Sequence, residues 1–356
     1  MADKQDQQVG DGSFAAQAKR DVIINQGATS EQIAGIMSVF KEQIVANFTE
    51  EAIKKVNERL DEFKDETIKE MFGKNGGRPE AFTDPDFQYT LKEAQTAYAR
   101  SGDQGLHDTL IRLIVERSKP TGRTRLTLAL NDAISKAGLL TEEEIAAITL
   151  IFYFKYVQQL GVVNIDQVAT SLITHVGPVI KNVPTLPIAY SYLESIGCAN
   201  PGISILQQSG VLQNLQERYP CIITKGATQP ELEEFIPQER RYMIQGIIVP
   251  SPFDPTRSIF AVGDPKQMAI LLGMFAGVPQ NDFEERYIAL CKQNLVDQDQ
   301  FVNVMRPRVP FMDDLLAKYD GGPARNTTLT TAGIALGHAN LKRISGMGAD
   351  ISIWIK

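Results

Sequence analysis

The spacing of apolar residues changes character several times along the chain, and each change predicts a different kind of element. Thr29-Ser30 offers a helix N-cap, with Gln32 placed three residues after Thr29 as its capping-box partner. Ile33, Ile36, Met37, Phe40 and Ile44 then recur on one helical face. Beyond Thr49 the pattern narrows to a single seam of Ile53, Val56, Leu60, Phe63, Ile68 and Met71 set among Glu, Lys, Asp and Arg. Residues 28–72 therefore read as a helical arm. The seam barely reaches three heptads, which favours packing on its own domain over a coiled coil. Ile53, Val56, Leu60 and Phe63 are still the seam residues placed to support contacts between copies.

The stretch from Gly73 to Phe87 is rich in Gly and Pro but has no G-x-x-x-x-G-K-[ST] spacing, so it reads as a connector. From 87 to 160 the pattern is that of consecutive antiparallel helices. Leu91, Ala94 and Tyr98 form the first buried face, Leu106, Leu110, Leu113 and Ile114 the second, and Leu126, Leu128, Leu130 and Ile134 the third. Gly102 is placed as a C-cap and Asp103 as the next N-cap. Thr141 and Glu144 form a capping box before "IAAITLIFYFKYVQQLG", a run apolar nearly all round, as a central buried helix requires. Its Tyr153 and Tyr156 read as core or interface residues.

Residues 161–356 read as a mixed α and β region. Short apolar runs at 186–190, 203–206, 220–224 and 247–249 are expected as strands. Helices are expected between them at 210–218, 230–234, 265–275, 282–294 and 298–305. A later helix carries Ala332, Ala335, Gly337 and Ala339, small residues that let another backbone come close. After Gly346 and Gly348, the alternation of Ile351, Ile353 and Ile355 predicts a docked terminal strand. The expected class is thus mainly α, with an α+β C-terminal half.

The first 27 residues follow none of these patterns. Ser13 to Gln17 and Asp21 to Asn25 are two short units of the same form: small polar, three apolar, amide. If both are extended, Phe14, Ala16, Val22 and Ile24 share one face. Two strands this short do not offset the entropy of ordering them. They must dock on the chain's own helices or stack with the same segment of neighbouring chains; the second is preferred, because a helical domain offers no sheet edge. Residues 1–27 are therefore expected to be a β-forming assembly tip, and the protein a homo-oligomer.

Composition narrows the functional classes. The 356 residues carry a net charge of −7, and the pI is near 5.2, which argues against a dedicated nucleic-acid binder. One basic run departs from this balance. Arg112, Arg117, Lys119, Arg123 and Arg125 meet a single Glu116, and they read either as a solvated helix end or as a candidate anion-binding set. Cys198, Cys221 and Cys291 are too far apart for a metal cluster and fit a reducing compartment. Nowhere do 18 apolar residues run uninterrupted and the N-terminus is polar, so a cytoplasmic protein without a membrane span is expected.

Candidate chemistry is thin. His107, His175 and His338 are isolated and read as structural, and no catalytic, nucleotide or cofactor motif is present. Asp297 with Asp299, Asp313 with Asp314, and Asp264 with Lys266 resemble helix starts. No catalytic residue, metal ligand or cofactor is therefore assigned. A metal-dependent hydrolase or nuclease in the C-terminal half remains the enzyme alternative. A membrane-perturbing effector is a further one.

Three stretches carry a resemblance. "QQVGDGSFAAQAKRDVIINQG" resembles a Gln-x-Gly-Asp-x-Ser leader that heads various bacterial proteins, some of them associated with antiphage genes. "DPDFQYTLKEAQTAYARSGDQGLHDTLIRLIVER" and "YLESIGCANPGISILQQSGVLQNLQERYP", with the ending "GIALGHANLKRISGMGADISIWIK", are similar to one uncharacterised bacterial family that shares this leader. Lys19-Arg20 stand where that leader commonly has Gly. The resemblance implies a self-assembling sensor or scaffold in bacterial defence, acting through contacts with a phage or effector protein. It supplies no catalytic residue.

Overall fold

A computed structural model describes residues 28–46, 48–73, 76–200, 209–236, 238–244, 246–276 and 282–356. The expected leader contacts of Phe14, Ala16, Val22 and Ile24, and the strand expected at 203–206, lie outside these residues. The described chain is mainly helical. Its first half holds α1 (Ser30–Val45), α2 (Glu50–Met71), α3 (Pro85–Ser101), α4 (Gln104–Ser118), α5 (Arg125–Ala137), α6 (Glu142–Tyr156) and α7 (Ile165–His175). The second holds α8 (Gly177–Ile180), α9 (Pro187–Ser195), α10 (Val211–Arg218), α11 (Gln229–Glu233), α12 (Pro265–Ala276), α13 (Phe283–Gln293), α14 (Gln298–Met305), α15 (Met312–Leu315) and α16 (Thr331–Ser345). Two small antiparallel sheets complete it: β1 (Ala199–Asn200) pairs with β4 (Thr328–Leu329), and β2 (Ile248–Pro250) with β3 (Ser258–Phe260).

Local chemistry sets the helix ends where the sequence placed them. The Thr29 amide donates to Gln32 Oε1 at 2.9 Å while Gln32 donates back to the Thr29 hydroxyl. Thr141 and Glu144 close the same kind of box at the head of α6. Gly102 ends α3 with φ of 64°, a left-handed conformation that costs glycine little, and the Asp103 carboxylate then caps α4.

Packing revises the proposed arm. α1 and α2 lie against α3, and α2 also against α4, so they are part of the bundle. Val56, Leu60 and Phe63 are buried within the subunit and Ile53 is half-buried. The seam is thus used for the chain's own core and is not free for a partner copy. Leu128 is a second correction: it is exposed, because the inner face of α5 is made by Ala129, Leu130, Ala133 and Ile134.

The bundle does not close at residue 160. Its centre is α6, buried almost all round, and α16 packs along α6, α5 and α4. Small residues make this possible: a Cβ on Gly337 would lie 2.6 Å from that of Phe152, and one on Gly333 would strike the Cys198 carbonyl. A second, smaller core gathers Cys221, Leu232, Phe235, Phe260, Met268 and Tyr287 from the segment that holds β2, β3 and α11 to α13.

Three expected strands are absent from the described structure. Residues 186–190 enter α9, because Pro187 takes the first helical turn and Ala189, Tyr190 and Leu193 bury one helical face. Residues 220–224 form turns, with an isolated antiparallel bridge between Thr224 and Leu295, and the Thr224 hydroxyl donates to the Cys291 and Asn294 carbonyls. The terminal isoleucines do not form a strand either. The Asp350 carboxylate accepts the Ser352 amide at 2.8 Å and starts a 3-10 turn over Ile351–Ile353. Ile351 and Ile355 are therefore buried while Ile353 points out, and the tail docks on α6 through Trp354 Nε1, which donates to the Tyr156 carbonyl at 2.6 Å.

Candidate ligand cleft

That docked tail forms one wall of a cleft of about 940 Å³. The other walls are the C-terminal end of α6 with the residues after it, and the exposed edge of α7. α7 follows a tight turn in which Asn164 caps the helix by accepting the Gln167 amide, and Gln167 Oε1 accepts the Val163 amide in return. This fixes Thr170, Ser171, Thr174 and His175, at helical spacing, along the cleft.

A polar cluster lies at the base. The Tyr153 hydroxyl and Ser171 Oγ are 2.8 Å apart, the His175 ring stacks on Tyr153 at 5.6 Å, and His175 Nδ1 donates to the Ser171 carbonyl at 2.8 Å. Burial pushes the Tyr153 phenol up to about 12. The Arg218 guanidinium lies 5.8 Å from the centre of the Tyr153 ring and donates to the Phe154 carbonyl near the end of α6. This cation balances the helix terminus but is not part of the lining.

His175 Nδ1 does not activate the Ser171 hydroxyl in this arrangement. A proton on His175 Nδ1 serves the Ser171 carbonyl, so that nitrogen has no lone pair with which to take the Ser171 hydroxyl proton. What the cleft offers instead is neutral hydrogen bonding. Among the described residues the side-chain amides of Gln158 and Gln159 and the Thr174 hydroxyl have no hydrogen-bond partner, and all three line the cleft. Leu160, 86 % exposed, and Ile353, 60 % exposed, add apolar surface at its mouth. Among the described residues no Asp, Glu, Lys or Arg lines it.

The basic run does not provide an anion site in the form expected. Arg117 is buried and turns inward, where it donates to Asp86 at 2.6 Å and to Asn131, and lies over the Phe87 ring. Lys119 pairs with the buried Glu116 at 2.9 Å. Arg123 and Arg125 are exposed, and Arg112 is half-buried with its Nε unpartnered among the described residues. Two of the five cations are thus already neutralised by carboxylates.

The remaining candidates are placed as helix ends. Asp297 caps α14, Asp264 accepts the amides of Lys266 and Gln267 at the start of α12, and Asp313 pairs with Arg306 at 2.8 Å. His107 is buried against Phe63 and Tyr98 with Nδ1 beside Asp108, and His338 is buried on α16. No group of three or more His, Cys, Asp or Glu among the described residues is arranged to hold a metal ion. No helix among them is long and apolar enough to cross a membrane. Of the three histidines only His175 reaches the cleft, and sequence reasoning did not single it out. Ser171 and His175 one helical turn apart were the available signal.

A family model described only as a "-like" family, with no activity in its description, matches residues 27–355. The chain belongs to that family. The matched region covers the helical body and starts at the last residue of the leader. No curated protein and no solved structure matches the chain.

Proposed function

We propose that the protein is a sensor that acts by binding: an uncharged organic ligand enters the cleft between α6, α7 and the tail, and self-association gathers several such subunits. The observation that carries the reading is the cleft itself, large enough for a drug-sized molecule yet lined, among the described residues, by no Asp, Glu, Lys or Arg. A phosphorylated or carboxylated ligand would find no cation there to offset its desolvation. Free glutamine amides, a free hydroxyl and aromatic surface suit a neutral molecule with donors, acceptors and a flat apolar part.

Self-association is supported by the sequence of the leader, where Phe14, Ala16, Val22 and Ile24 would share a face too small to stand alone. Gathering subunits raises the effective concentration of their surfaces toward a phage or effector protein. The likeness of the leader to those of antiphage genes supports a setting in bacterial defence.

Trp354, the only tryptophan in the chain, lines the cleft and reports on it. A panel of nucleosides and neutral sugars, with nucleoside triphosphates as the charged comparison, is titrated while tryptophan emission is read. Binding of a neutral compound, lost when Thr174→Phe fills the cleft, is the expected result. Binding by the triphosphates alone, or by none of the panel, overturns the reading.

A further inference from the structure

The outer face of α3 carries a stripe that complements itself. Tyr89, Glu93, Thr96, Ala97 and Arg100 fall at steps of three and four residues, so they line one side of the helix. Beside it the end of α5 leaves an open groove of about 640 Å³, walled by Tyr89 and Leu139, and both of these apolar residues are more than half exposed. Tyr192 continues the surface, its hydroxyl donating to the Leu139 carbonyl at 2.8 Å, and the exposed Ile188 lies one turn before it on α9. An apolar strip of this kind, bordered by charges, is the usual mark of a protein contact.

Charge says which protein. Among the described residues neither Glu93 nor the side chain of Arg100 has an ion-pair or hydrogen-bond partner. Glu93 is half-buried, and burial alone raises its carboxyl above the ordinary range, so it occupies a place that a cation would improve. The two charges are opposite in sign and equally distant from the midpoint between Thr96 and Ala97. A two-fold axis through that midpoint, with two α3 helices antiparallel, brings each Glu93 against the other copy's Arg100. The small Thr96 and Ala97 then sit at the crossing, where close helix approach needs them.

We infer that two copies of this chain pair across α3 about a two-fold axis between Thr96 and Ala97, with Glu93 of each copy against Arg100 of the other and the Tyr89–Leu139 strip covered. Such an interface is isologous and closes at a dimer. It rests on the self-association part of the reading above and supplies a contact surface for it in the helical body, lined by residues other than those of the cleft.

The test is a charge swap in the full chain, read by light scattering after gel filtration. Glu93→Arg and Arg100→Glu each place like charges face to face, and each is expected to weaken pairing at least about tenfold and to halve the mass at low concentration. Glu93→Arg with Arg100→Glu re-forms the pair with signs exchanged and restores the mass. Single variants that keep the full mass, or a double variant that stays at half, overturn the α3 pairing while leaving assembly through the leader in place. A wild-type chain that is itself monomeric overturns self-association altogether. Melting temperatures within a few degrees of wild type confirm that the surface changes have not unfolded the subunit.

Discussion

His338 Nε2 donates to the Ala349 carbonyl at 2.8 Å, so a residue in the middle of the core helix α16 holds the segment that walls the cleft. The ring is fully buried against Phe152 and Trp354, and its Nδ1 has no partner among the described residues. Burial keeps the imidazole below its ordinary value, an effect that outweighs the Ala349 bond and the nearby Glu116 and Asp350 carboxylates. In the unfolded chain it takes up a proton near pH 6.5. Stability from the neutral ring is therefore complete above about pH 6.5 and is lost as pH falls from there through the lower folded value. The melting temperature should drop on going from neutral to mildly acid pH, and His338→Gln, which keeps a donor for Ala349, should flatten that drop. Equal slopes for the two proteins would refute it.

Glu116 joins two elements distant in sequence. It is buried at the end of α4 and takes Lys119 from its own helix end at 2.9 Å and Lys342 from α16 at 2.8 Å. Burial alone would raise its carboxyl, but the bonds from Lys342 and Lys119 prevail and hold it below the ordinary carboxylate value. Its contribution is present above the unfolded value of about 4.3 and lost as pH falls through the folded one. Glu116→Gln should cost about 3 kcal/mol at neutral pH by leaving lysines without their counter-charge. Denaturant titration should show that gap closing toward pH 3.

Arg117 uses its fork. One nitrogen reaches Asp86, another reaches Asn131, and the plane lies 5.8 Å from the centre of the Phe87 ring. An ammonium cannot reproduce this geometry, so Arg117→Lys should be destabilising by about 2 kcal/mol, nearly as much as Arg117→Met. Urea unfolding of the two variants checks it. A lysine variant as stable as wild type would show that only the charge matters.

Two helical glycines should respond in opposite directions. Gly35 lies in α1 with nothing near its missing Cβ among the described residues, so Gly35→Ala should stabilise by roughly 0.5 to 1 kcal/mol through the unfolded chain. Gly333→Ala drives a methyl into the Cys198 carbonyl and should cost about 2 kcal/mol by forcing α16 away from it. Thermal melts of both variants read the signs directly.

What could be read from the sequence was what is decided within a few residues. Thr29 with Gln32, Thr141 with Glu144, and Gly102 followed by Asp103 are caps, and the backbone groups they satisfy are immediate neighbours. The run "IAAITLIFYFKY" announced a buried helix because it has no polar side to turn outward. Where an element depended on distant partners, the pattern was ambiguous. The short apolar stretch at 186–190 fits a strand or a helix equally until Pro187 is seen to open a helix whose face packs on α6. Ile351, Ile353 and Ile355 alternate correctly for a strand, but Asp350 closes a turn on them first. Arg117 looked available because Asp86 and Asn131 are remote in sequence. The cleft could not be read for the same reason: Tyr153, Ser171 and His175 come from two helices, and Trp354 arrives from the far end of the matched region.

The small residues of α16 bear on how the protein is made. Synthesis proceeds from the N-terminus, so α4, α5 and α6 leave the ribosome long before the helix that seats against all three of them. Until Gly333 and Gly337 emerge, the inner faces of Phe152 and Ile148 have no native cover, and the nascent chain presents a sticky furrow to whatever chaperones are at hand. Changes that loosen α16 should therefore show up in cells as lost yield even where the finished molecule, once formed, melts almost normally.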